Sequence, residues 1–167
     1  MMENLKEITI RKACKEDFKL LWNWANDIDV RANSLNPEII SMTNHKEWLK
    51  KRIRSNDTLI YILESKGIPF SQIRFDRISQ NEAEIDISVS REWRSKGLGT
   101  LTLTQTKLRA IEQLRILLLT GVVREANIGS CKAFINAGFI ESDKRNINGN
   151  ICRVFHWESN QNPSLNN

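Results

Sequence analysis

Two glycines in a basic loop are the first feature of this sequence that could carry chemistry. Gly97 and Gly99 lie within residues 94–100, between a predicted strand and a predicted helix. Glycines let the backbone turn tightly and approach a ligand, and the N-terminus of the following helix directs free N–H groups and the positive end of its dipole at the same point. Arg94 and Lys96 add positive charge. The loop is therefore a candidate cradle for a pyrophosphate, with an ordinary glycine turn as the alternative.

Two familiar phosphate loops do not fit these residues. The loop of nucleoside triphosphatases places a lysine and then a serine or threonine directly after its second glycine, and the dinucleotide-binding loop has a third glycine. Residues 94–100 have neither feature. The loop therefore belongs to neither of these classes.

A row of polar side chains on a strand predicted at residues 83–90 is the second candidate feature. A period of two places Glu84, Asp86 and Ser88 on one face and apolar side chains on the other. A carboxylate within hydrogen-bond reach of an amine, directly or through one water, can take its proton. This face is a candidate substrate pocket. The alternative is a solvated face whose cross-strand ion pairs each contribute about 0.2–1 kcal/mol.

The hairpin that ends in this strand has a predictable register. If its turn centres near Gln80, Asp76 lies opposite Glu84 and Arg74 lies opposite Asp86. One face of the hairpin is then polar, and the other packs into the core.

Hydrophobic patterning predicts seven strands and four helices around these features. The strands cover residues 6–12, 58–65, 69–77, 83–90, 116–123, 139–145 and 151–158, and the helices cover residues 18–25, 44–54, 98–114 and 130–137. Asn44 is the expected cap of the second helix. Threonine and leucine alternate like a strand over residues 100–106, but a longer apolar stripe favours a helix there. The order predicts an α/β (α+β) fold with a mixed, mainly antiparallel sheet.

Length and composition restrict the class of protein. The chain has 167 residues, which suits one domain, here residues 1–158, with a polar tail at residues 159–167. The longest apolar run covers residues 116–119, so neither a membrane span nor a signal peptide is indicated, and a cytoplasmic protein is expected. Three separated cysteines and two histidines indicate neither a disulfide framework nor a metal site.

The net charge of +5 favours anionic partners without identifying them. Nucleic acid, a phosphorylated cofactor or an acidic substrate would each fit, and a basic but solvated surface is the alternative. Nucleic-acid binding would require basic residues interleaved with exposed aromatics on one face, and none is evident. A nucleic-acid partner is therefore not expected.

Two motifs in this order resemble the GCN5-related N-acetyltransferase (GNAT) family. Arg94-x-x-Gly97-x-Gly99 looks like that family's (Q/R)-x-x-G-x-(G/A) signature. Residues 127–130 (NIGS) and 137–139 (AGF) are similar to its Asn-containing segment and its terminal Gly-Phe. The order of predicted elements is also that of the family, so the resemblance covers nearly the whole chain.

The resemblance implies a GNAT fold with acetyl-CoA as acetyl donor and no metal. The seven-stranded sheet would splay between its fourth and fifth strands, which leaves a V-shaped opening for the pantetheine arm. The implied acetyl-CoA site comprises Ile87, Val89, Arg94, Ser95, Lys96, Gly97, Leu98, Gly99, Thr100, Asn127, Ser130 and Phe134. Backbone groups of Ile87 and Val89 would pair with the pantetheine amides, and residues 95–100 would take the pyrophosphate. Asn127 would reach the arm from the other side, although a helix N-cap is an equally good use of an asparagine.

The resemblance also implies direct attack by the amine in a ternary complex, assisted by a base. Glu84 is the first choice, because the family often places a glutamate near this point of the strand, and Asp86 and His45 are the reserves. His45 would otherwise be a packed helix residue.

At the position of the acid that would protonate the leaving sulfur, this chain differs from the family pattern. Members commonly carry a tyrosine seven residues after the Asn, where this chain has Phe134. Ser130, Cys131 or water would serve instead. An acid is also dispensable, since a thiolate whose conjugate acid has a pKa near 8.5 leaves tolerably unaided. Some members use a glutamate five residues before the Asn, where this chain has Val122.

The predicted acceptor is an amine on a nucleotide-linked sugar in surface-glycan synthesis. Residues 26–34 (NDIDVRANS) and 72–76 (QIRFD), with His45 and Trp48, loosely resemble the pseudaminic-acid pathway enzymes. Arg31 and Arg74 would meet a nucleotide diphosphate, and Trp48 would cover a sugar or base face.

Other acceptors and another class of protein stay open. The enzyme alternatives are a protein N-terminal (ribosomal-protein type) acetyltransferase and an aminoglycoside or small-amine acetyltransferase. The alternative of another class is a non-catalytic CoA-binding or nucleic-acid-binding module. A monomer or a homodimer is expected.

Overall fold

A seven-stranded sheet with helices on both faces forms the structure, a computed structural model that describes residues 7–159. The strands are β1 (Ile8–Lys12), β2 (Thr58–Ser65), β3 (Ile68–Arg77), β4 (Glu82–Val89), β5 (Leu118–Arg124), β6 (Ile140–Ile147) and β7 (Asn150–Glu158). The helices are α1 (Phe18–Ala25), α2 (Ile28–Asn33), α3 (Met42–Arg52), α4 (Leu98–Leu114) and α5 (Ile128–Asn136). Of the predicted polar tail, only Ser159 falls within the described residues. None of the helices in this part of the chain is long and apolar enough to cross a membrane.

The strand order is β1-β2-β3-β4-β5-β7-β6. Every neighbouring pair is antiparallel except β4 and β5, which run parallel. The prediction of a mixed, mainly antiparallel sheet is therefore confirmed. The hairpin register is confirmed as well, because Arg74 lies opposite Asp86 and Asp76 lies opposite Glu84.

The described chain contains five α-helices instead of the four predicted, because the short helix α2 was missed. Six residues are too few for a hydrophobic period to show in the sequence. A local cap begins this helix: one Asp27 carboxylate oxygen accepts the N–H groups of Asp29 at 3.0 Å and Val30 at 3.2 Å.

The helix predicted from Asn44 begins two residues earlier. Ser41 is its N-cap, and the Ser41 hydroxyl accepts the backbone N–H of Asn44 at 3.2 Å. Asn44 is therefore the residue whose N–H is capped and not the capping residue. Both residue types suit the cap position, so the sequence alone does not separate them.

Residues 100–106, where threonine and leucine alternate as in a strand, lie in the helix α4, as the longer apolar stripe predicts. Thr102 and Thr106 are fully buried in α4, and their hydroxyls donate to the carbonyls of Leu98 and Thr102, both at 2.7 Å. These bonds to the preceding turn satisfy polar groups that would otherwise be buried without partners. The Thr102 hydroxyl also lies 2.8 Å from that of Ser71, which joins α4 to β3.

Alternate residues of the sheet build two cores, one on each face. Leu59, Tyr61 and Leu63 of β2 face the larger core, which α4 and α5 cover. Ile60 and Ile62 of the same strand face a smaller core under α1 and α3. The polar row of β3 and β4 lies on this second face, where the helices cover it only in part.

β4 and β5 diverge halfway along their length. They pair from Glu82 with Leu118 to Ile85 with Gly121, and no pairing follows. Gly121 is the last residue of β5 that pairs with β4, and the ring of Phe134 packs directly on it. The predicted splay between the fourth and fifth strands is confirmed.

We expect Gly121→Ala to destabilise the fold by about 1–3 kcal/mol, because overpacking a closed core forces its neighbours to shift. A Cβ at residue 121 would stand 2.2 Å from the Phe134 ring, which is 1% exposed and stacked on Phe155. Denaturant unfolding monitored by circular dichroism measures the loss.

Gly129→Ala is the matched control, since a Cβ there would meet its nearest atom at 4.0 Å. We expect this helical glycine to tolerate alanine with no loss of stability. An unchanged unfolding free energy in Gly121→Ala would show that the contact with Phe134 does not constrain the divergence of the strands.

Candidate active site

The N-terminus of α4 presents unpaired backbone N–H groups beside the opening between β4 and β5. Gly97 precedes the helix with a left-handed φ of +75°, and no side chain caps it. The first helical bond runs from Leu101 N–H to Gly97 O at 3.1 Å. In the described part of the chain, the N–H groups of Leu98, Gly99 and Thr100 have no acceptor. A Cβ at Gly97 would meet no atom within 4 Å, so the space in front of the loop is open. This arrangement fits a pyrophosphate.

The two cations of this loop are held by the protein itself. Each of the three guanidinium nitrogens of Arg94 donates to a protein oxygen: Val89 O at 3.0 Å, Asp29 at 2.7 Å and Asp27 at 2.8 Å. Lys96 Nζ donates to the Glu92 carbonyl at 2.8 Å. Arg94 is therefore engaged within the protein, by Asp27 at the N-cap of α2 and by Asp29 inside this helix, which the sequence did not predict.

The backbone of β4 faces the opening at the positions that the sequence predicts. Ser90 N–H donates to Phe70 O on β3 at 2.9 Å. Since successive residues of a strand direct their backbone groups to opposite sides, those of Ile87 and Val89 point away from β3, towards β5. Beyond Ile85 they have no partner on β5. Arg94 donates to the Val89 carbonyl, so the backbone groups that stay open to a pantetheine amide are those of Ile87 and the N–H of Val89.

On the far side of the opening, α5 begins with Asn127. The Asn127 side chain accepts the Ser130 N–H at 3.2 Å, so the N-cap role is observed. Phe134, seven residues on, lies in the core against Phe139 and Phe155 and has almost no exposed surface. The Phe134 ring completes the core beneath Gly121. It therefore has almost no exposed surface with which to make the predicted contact with the cofactor.

A cavity of about 420 Å³ lies on the opposite face of the sheet, under α1, α2 and α3. It contains all four predicted acceptor-site residues: Arg31, His45, Trp48 and Arg74. Its lining also includes Asp86, Ile87 and Ser88 of β4, which the sequence placed in other roles, and Ser34, Asn44 and Gln72, for which no acceptor contact was predicted. Ile87 therefore belongs both to this cavity and to the opening between the strands.

Arg74 is the centre of the charged cluster in the cavity. It contacts Asp76 at 2.6 Å and Asp86 at 3.3 Å, and its guanidinium lies 5.0 Å from the centre of the Trp48 ring. Burial opposes the charge of Arg74, but Asp86 and Asp76 outweigh it and raise the pKa of Arg74. Gln72 Nε2 also approaches Asp86, at 3.3 Å. Arg74, Asp76 and Asp86 together carry one net negative charge, and Arg52, which contacts Asp76 at 2.9 Å, offsets it.

Arg31 holds the chain that follows α2. It donates to the carbonyls of Ala25 at 2.5 Å, Asn36 at 3.0 Å and Glu38 at 3.3 Å. Burial lowers the pKa of Arg31, and the charge of Asp86 partly offsets this effect. The guanidinium positions the wall of the cavity.

His45 is a buried imidazole in the same cavity. It is 4% exposed, it packs 5.1 Å from the Trp48 ring, and its Nδ1 has no partner in the described part of the chain. Burial, followed by the charge of Arg74, lowers the pKa of His45 below its ordinary value of 6.5. His45 is therefore neutral at pH 7.

The three candidate bases differ in position. Asp86 and His45 line the cavity and Glu84 does not, although Glu84 projects from the same face of β4. Two residues along a strand correspond to about 6.8 Å, so Glu84 stands one side-chain repeat below the cavity. Burial, followed by the negative charge of Asp76, raises the pKa of Glu84. The geometry favours Asp86, whereas the raised pKa favours Glu84.

Asp27, Asp29 and Gln72 fall within the segments 26–34 and 72–76, but no individual role was predicted for any of them. In the sequence, only the residue type of Asp27 indicates that it could cap a short helix. Its ion pair with Arg94, like that of Asp29, joins residues more than 60 positions apart, so sequence spacing does not indicate it. In residues 7–159, no group of three His, Cys, Asp or Glu side chains could hold a metal ion.

Comparison with known proteins agrees with this geometry. The family described as Acetyltransferase (GNAT) domain matches residues 7–140. No curated protein sequence matches the chain.

Several solved structures share the fold. Spermidine N-acetyltransferase from Vibrio cholerae, in complex with CoA and spermine, has a TM-score of 0.80 at 17% identity and covers 90% of this chain and 95% of its own. The structure of AAC(6')-Ib with ribostamycin and coenzyme A has a TM-score of 0.79 at 14% identity, with 92% and 94% covered. A GNAT-family acetyltransferase from Streptococcus pneumoniae has a TM-score of 0.74 at 16% identity, with 91% and 99% covered.

The family match spans most of the chain, and it includes the glycine loop, the diverging strands and the cavity beneath the first three helices. The predictions of the family, of its fold and of acetyl-CoA as the donor are confirmed. The chain belongs to the GNAT acetyltransferases, enzymes that transfer the acetyl group of acetyl-CoA to an amine.

Proposed function

We propose that this enzyme acetylates the primary amine of a small polyhydroxylated acceptor, of the amino-sugar type, with both substrates bound at once. One observation carries the proposal: β4 serves two sites. The backbone of Ile87 faces the opening towards β5, while Asp86 and Ser88 on either side of it line the cavity. A donor in the opening and an acceptor in the cavity would meet along these residues, so direct attack needs no covalent enzyme intermediate.

The charges of the cavity disfavour an acceptor with many positive charges. Arg31 and Arg74 both line it, and Asp86 is the one carboxylate among its lining residues. Asp86 is already paired with Arg74, and Arg31 has only backbone carbonyls as hydrogen-bond partners among the described residues, so a polyamine would meet no unpaired carboxylate in this lining. The other members of the lining that can bond a ligand are mostly neutral: Asn44 and Gln72 have amide groups, and the Trp48 ring offers a flat face to a sugar.

A nucleotide-linked amino sugar is the narrower hypothesis within this class. It requires a cation that is free to meet the diphosphate. Arg74 instead contacts two carboxylates, and Arg31 donates to three backbone carbonyls. A diphosphate would have to displace these contacts, so we rank a free amino sugar above the nucleotide-linked form.

Asp86 is the group that we assign to take the proton of the amine. The nitrogen bonds to the thioester carbon, the C–S bond breaks, and its electron pair leaves on the thiolate. The surplus proton passes to Asp86 directly or through one water. Arg74 keeps Asp86 oriented. His45 is neutral and offers its imidazole to a hydroxyl of the acceptor.

The leaving thiolate needs little help, since the pKa of its conjugate acid is near 8.5. Ser130 stays the predicted acid if one is used, and its backbone is fixed at the first turn of α5 by Asn127. The expected cytoplasmic location and the monomeric or homodimeric state also stay predictions.

Acetyl-CoA should raise the melting temperature of the protein, and Gly97→Glu should abolish this shift. A ligand at 100 times its Kd adds about 2.7 kcal/mol of stability. The glutamate would place a negative charge in front of the unpaired N–H groups of α4. Differential scanning fluorimetry with increasing acetyl-CoA measures the effect.

Gly67→Glu is the matched control for this variant. Gly67 has nearly the same left-handed φ, +76° against +75°, and open space around it, but it lies in the turn between β2 and β3. Both variants therefore suffer similar backbone strain. If Gly97→Glu kept the acetyl-CoA shift that Gly67→Glu keeps, the pyrophosphate would not bind at this loop.

Asp86→Asn should lower kcat by about 100-fold at pH 7 while leaving the acetyl-CoA shift intact, because the base is lost and the loop is not. Arg74 keeps its contact with Asp76, so the fold should tolerate the change. Steady-state turnover measured by thiol release provides the comparison.

Glu84→Gln is the competing variant. The raised pKa of Glu84 would place the acid limb of the kcat/KM profile above the ordinary glutamate value of 4.5 if Glu84 were the base. A larger loss in Glu84→Gln than in Asp86→Asn, with removal of that limb, would return the role to Glu84.

A panel of amines tests the acceptor class. We expect glucosamine-type amino sugars to release thiol from acetyl-CoA faster than spermidine, kanamycin or a peptide with a free N-terminus. Adding a nucleotide-linked amino sugar to the panel distinguishes the narrower hypothesis from that of a free amino sugar. Preference for spermidine or kanamycin would contradict the charge argument.

A further inference from the structure

The charges between α2 and the glycine loop form a cluster of two arginines and two aspartates. Arg94 contacts Asp27 at 2.8 Å and Asp29 at 2.7 Å, and Arg91 approaches the same two carboxylates at 3.3 Å and 3.4 Å. We call these four residues the α2 clamp. The clamp balances two positive and two negative charges, and it joins elements more than 60 residues apart in the chain.

Arg94 also joins the clamp to the edge of the opening. Its Nε donates to the carbonyl of Val89, the last residue of β4, at 3.0 Å. The same side chain therefore contacts the strand that faces the pantetheine arm and the helix that covers the acceptor cavity.

A third arginine holds the other end of α2. Arg124, the last residue of β5, donates to the carbonyl of Ala32 in α2 and to the side chain of Asn150, the latter at 2.6 Å. α2 is thus attached to the ends of both diverging strands. It lies across the mouth of the opening between them.

The clamp has a direct consequence for the acceptor cavity. α2 supplies Val30 and Arg31 to the wall of the cavity, and Ser34 follows directly after the helix in the same wall. Asp27 is both a member of the clamp and the N-cap of α2, where its carboxylate accepts two backbone N–H groups. Any movement of Arg94 therefore reaches the acceptor wall through the first turn of this helix.

We propose that Arg94, Asp27 and Asp29 are positioning residues that couple the acetyl-CoA site to the acceptor cavity, and that Arg94 does not itself bind the pyrophosphate. Acetyl-CoA orders the loop at residues 95–100, the loop fixes Arg94, and Arg94 fixes α2 as the wall of the acceptor cavity. Coupling of this kind is reciprocal, so a bound acceptor tightens the binding of acetyl-CoA by the same factor. The coupling rests on the proposed function for the acceptor, whereas its first step needs only CoA.

Amide hydrogen exchange with and without coenzyme A tests this step in the full chain. We expect CoA to slow exchange in residues 28–34 of the wild type by about 5-fold or more, the lower end of the usual coupling between sites. Asp29→Asn and Asp27→Asn should lose this slowing. Asparagine is as good an N-cap as aspartate, so Asp27→Asn removes the charge and keeps the helix start.

Asp57→Asn is the matched control. Asp57 and Asp29 have similar exposure, 68% and 60% of the side chain, and Asp57 pairs with Arg77 away from both sites. This control should keep the CoA-dependent slowing of α2. Equal slowing in Asp29→Asn, Asp27→Asn and the control would overturn the proposal.

Arg94→Gln separates positioning from phosphate binding. We expect it to keep the CoA-dependent rise in melting temperature and to lose the slowing of exchange in α2. Loss of the melting shift, as expected for Gly97→Glu, would show that Arg94 binds the pyrophosphate and would overturn the proposal.

Steady-state kinetics distinguish a positioning role from a merely structural one, because a merely structural role would not change the acceptor KM selectively. With the amine that the panel shows to be turned over fastest, Asp29→Asn should raise the acceptor KM by about 5-fold or more and leave kcat nearly unchanged. An unchanged acceptor KM would overturn the coupling. If no amine were acetylated, the proposed function would fail while the exchange experiment still decided the first step.

Discussion

The divergence of β4 from β5 is the constraint on which the rest of this structure depends. Two parallel strands pair over four residues and then separate, which leaves the backbone groups of Ile87 without a partner on β5. Unpaired backbone groups are costly when they are buried, so the opening is stable only where water or a ligand meets them. The Phe134 ring beneath Gly121 fills the core directly under the last pair, and the sheet therefore separates above a closed base.

Charge in this protein is used mainly to fix elements in place. The arginines that looked free in the sequence each meet oxygens of the protein: Arg94 at the clamp, Arg31 at three carbonyls and Arg74 between two aspartates. The binding of an anionic cofactor is left to backbone N–H groups at the start of α4. Backbone donors are fixed by the helix and lose no rotamer freedom on binding, whereas a long side chain does.

The acceptor cavity combines a polar floor with a wall that depends on one short helix. Its floor is the sheet face of β3 and β4, whose alternation the sequence shows directly. Its wall includes α2, six residues whose position is determined by contacts at both ends. The part of the site that selects the acceptor is thus the part with the least local signal in the sequence.

The sequence by itself determined the strands and long helices, the hairpin register and the glycine loop, because period, turn residues and motif spacing are local properties of the chain. It did not predict α2, the engagement of Arg94, or the difference in position between Glu84 and Asp86. Each of these depends on contacts between residues far apart in the chain, such as Arg94 with Asp29, or on where a helix covers the sheet. Only the tertiary structure decides such contacts, because side-chain partners in a folded protein are set by the packing of whole elements and not by the neighbours along the chain.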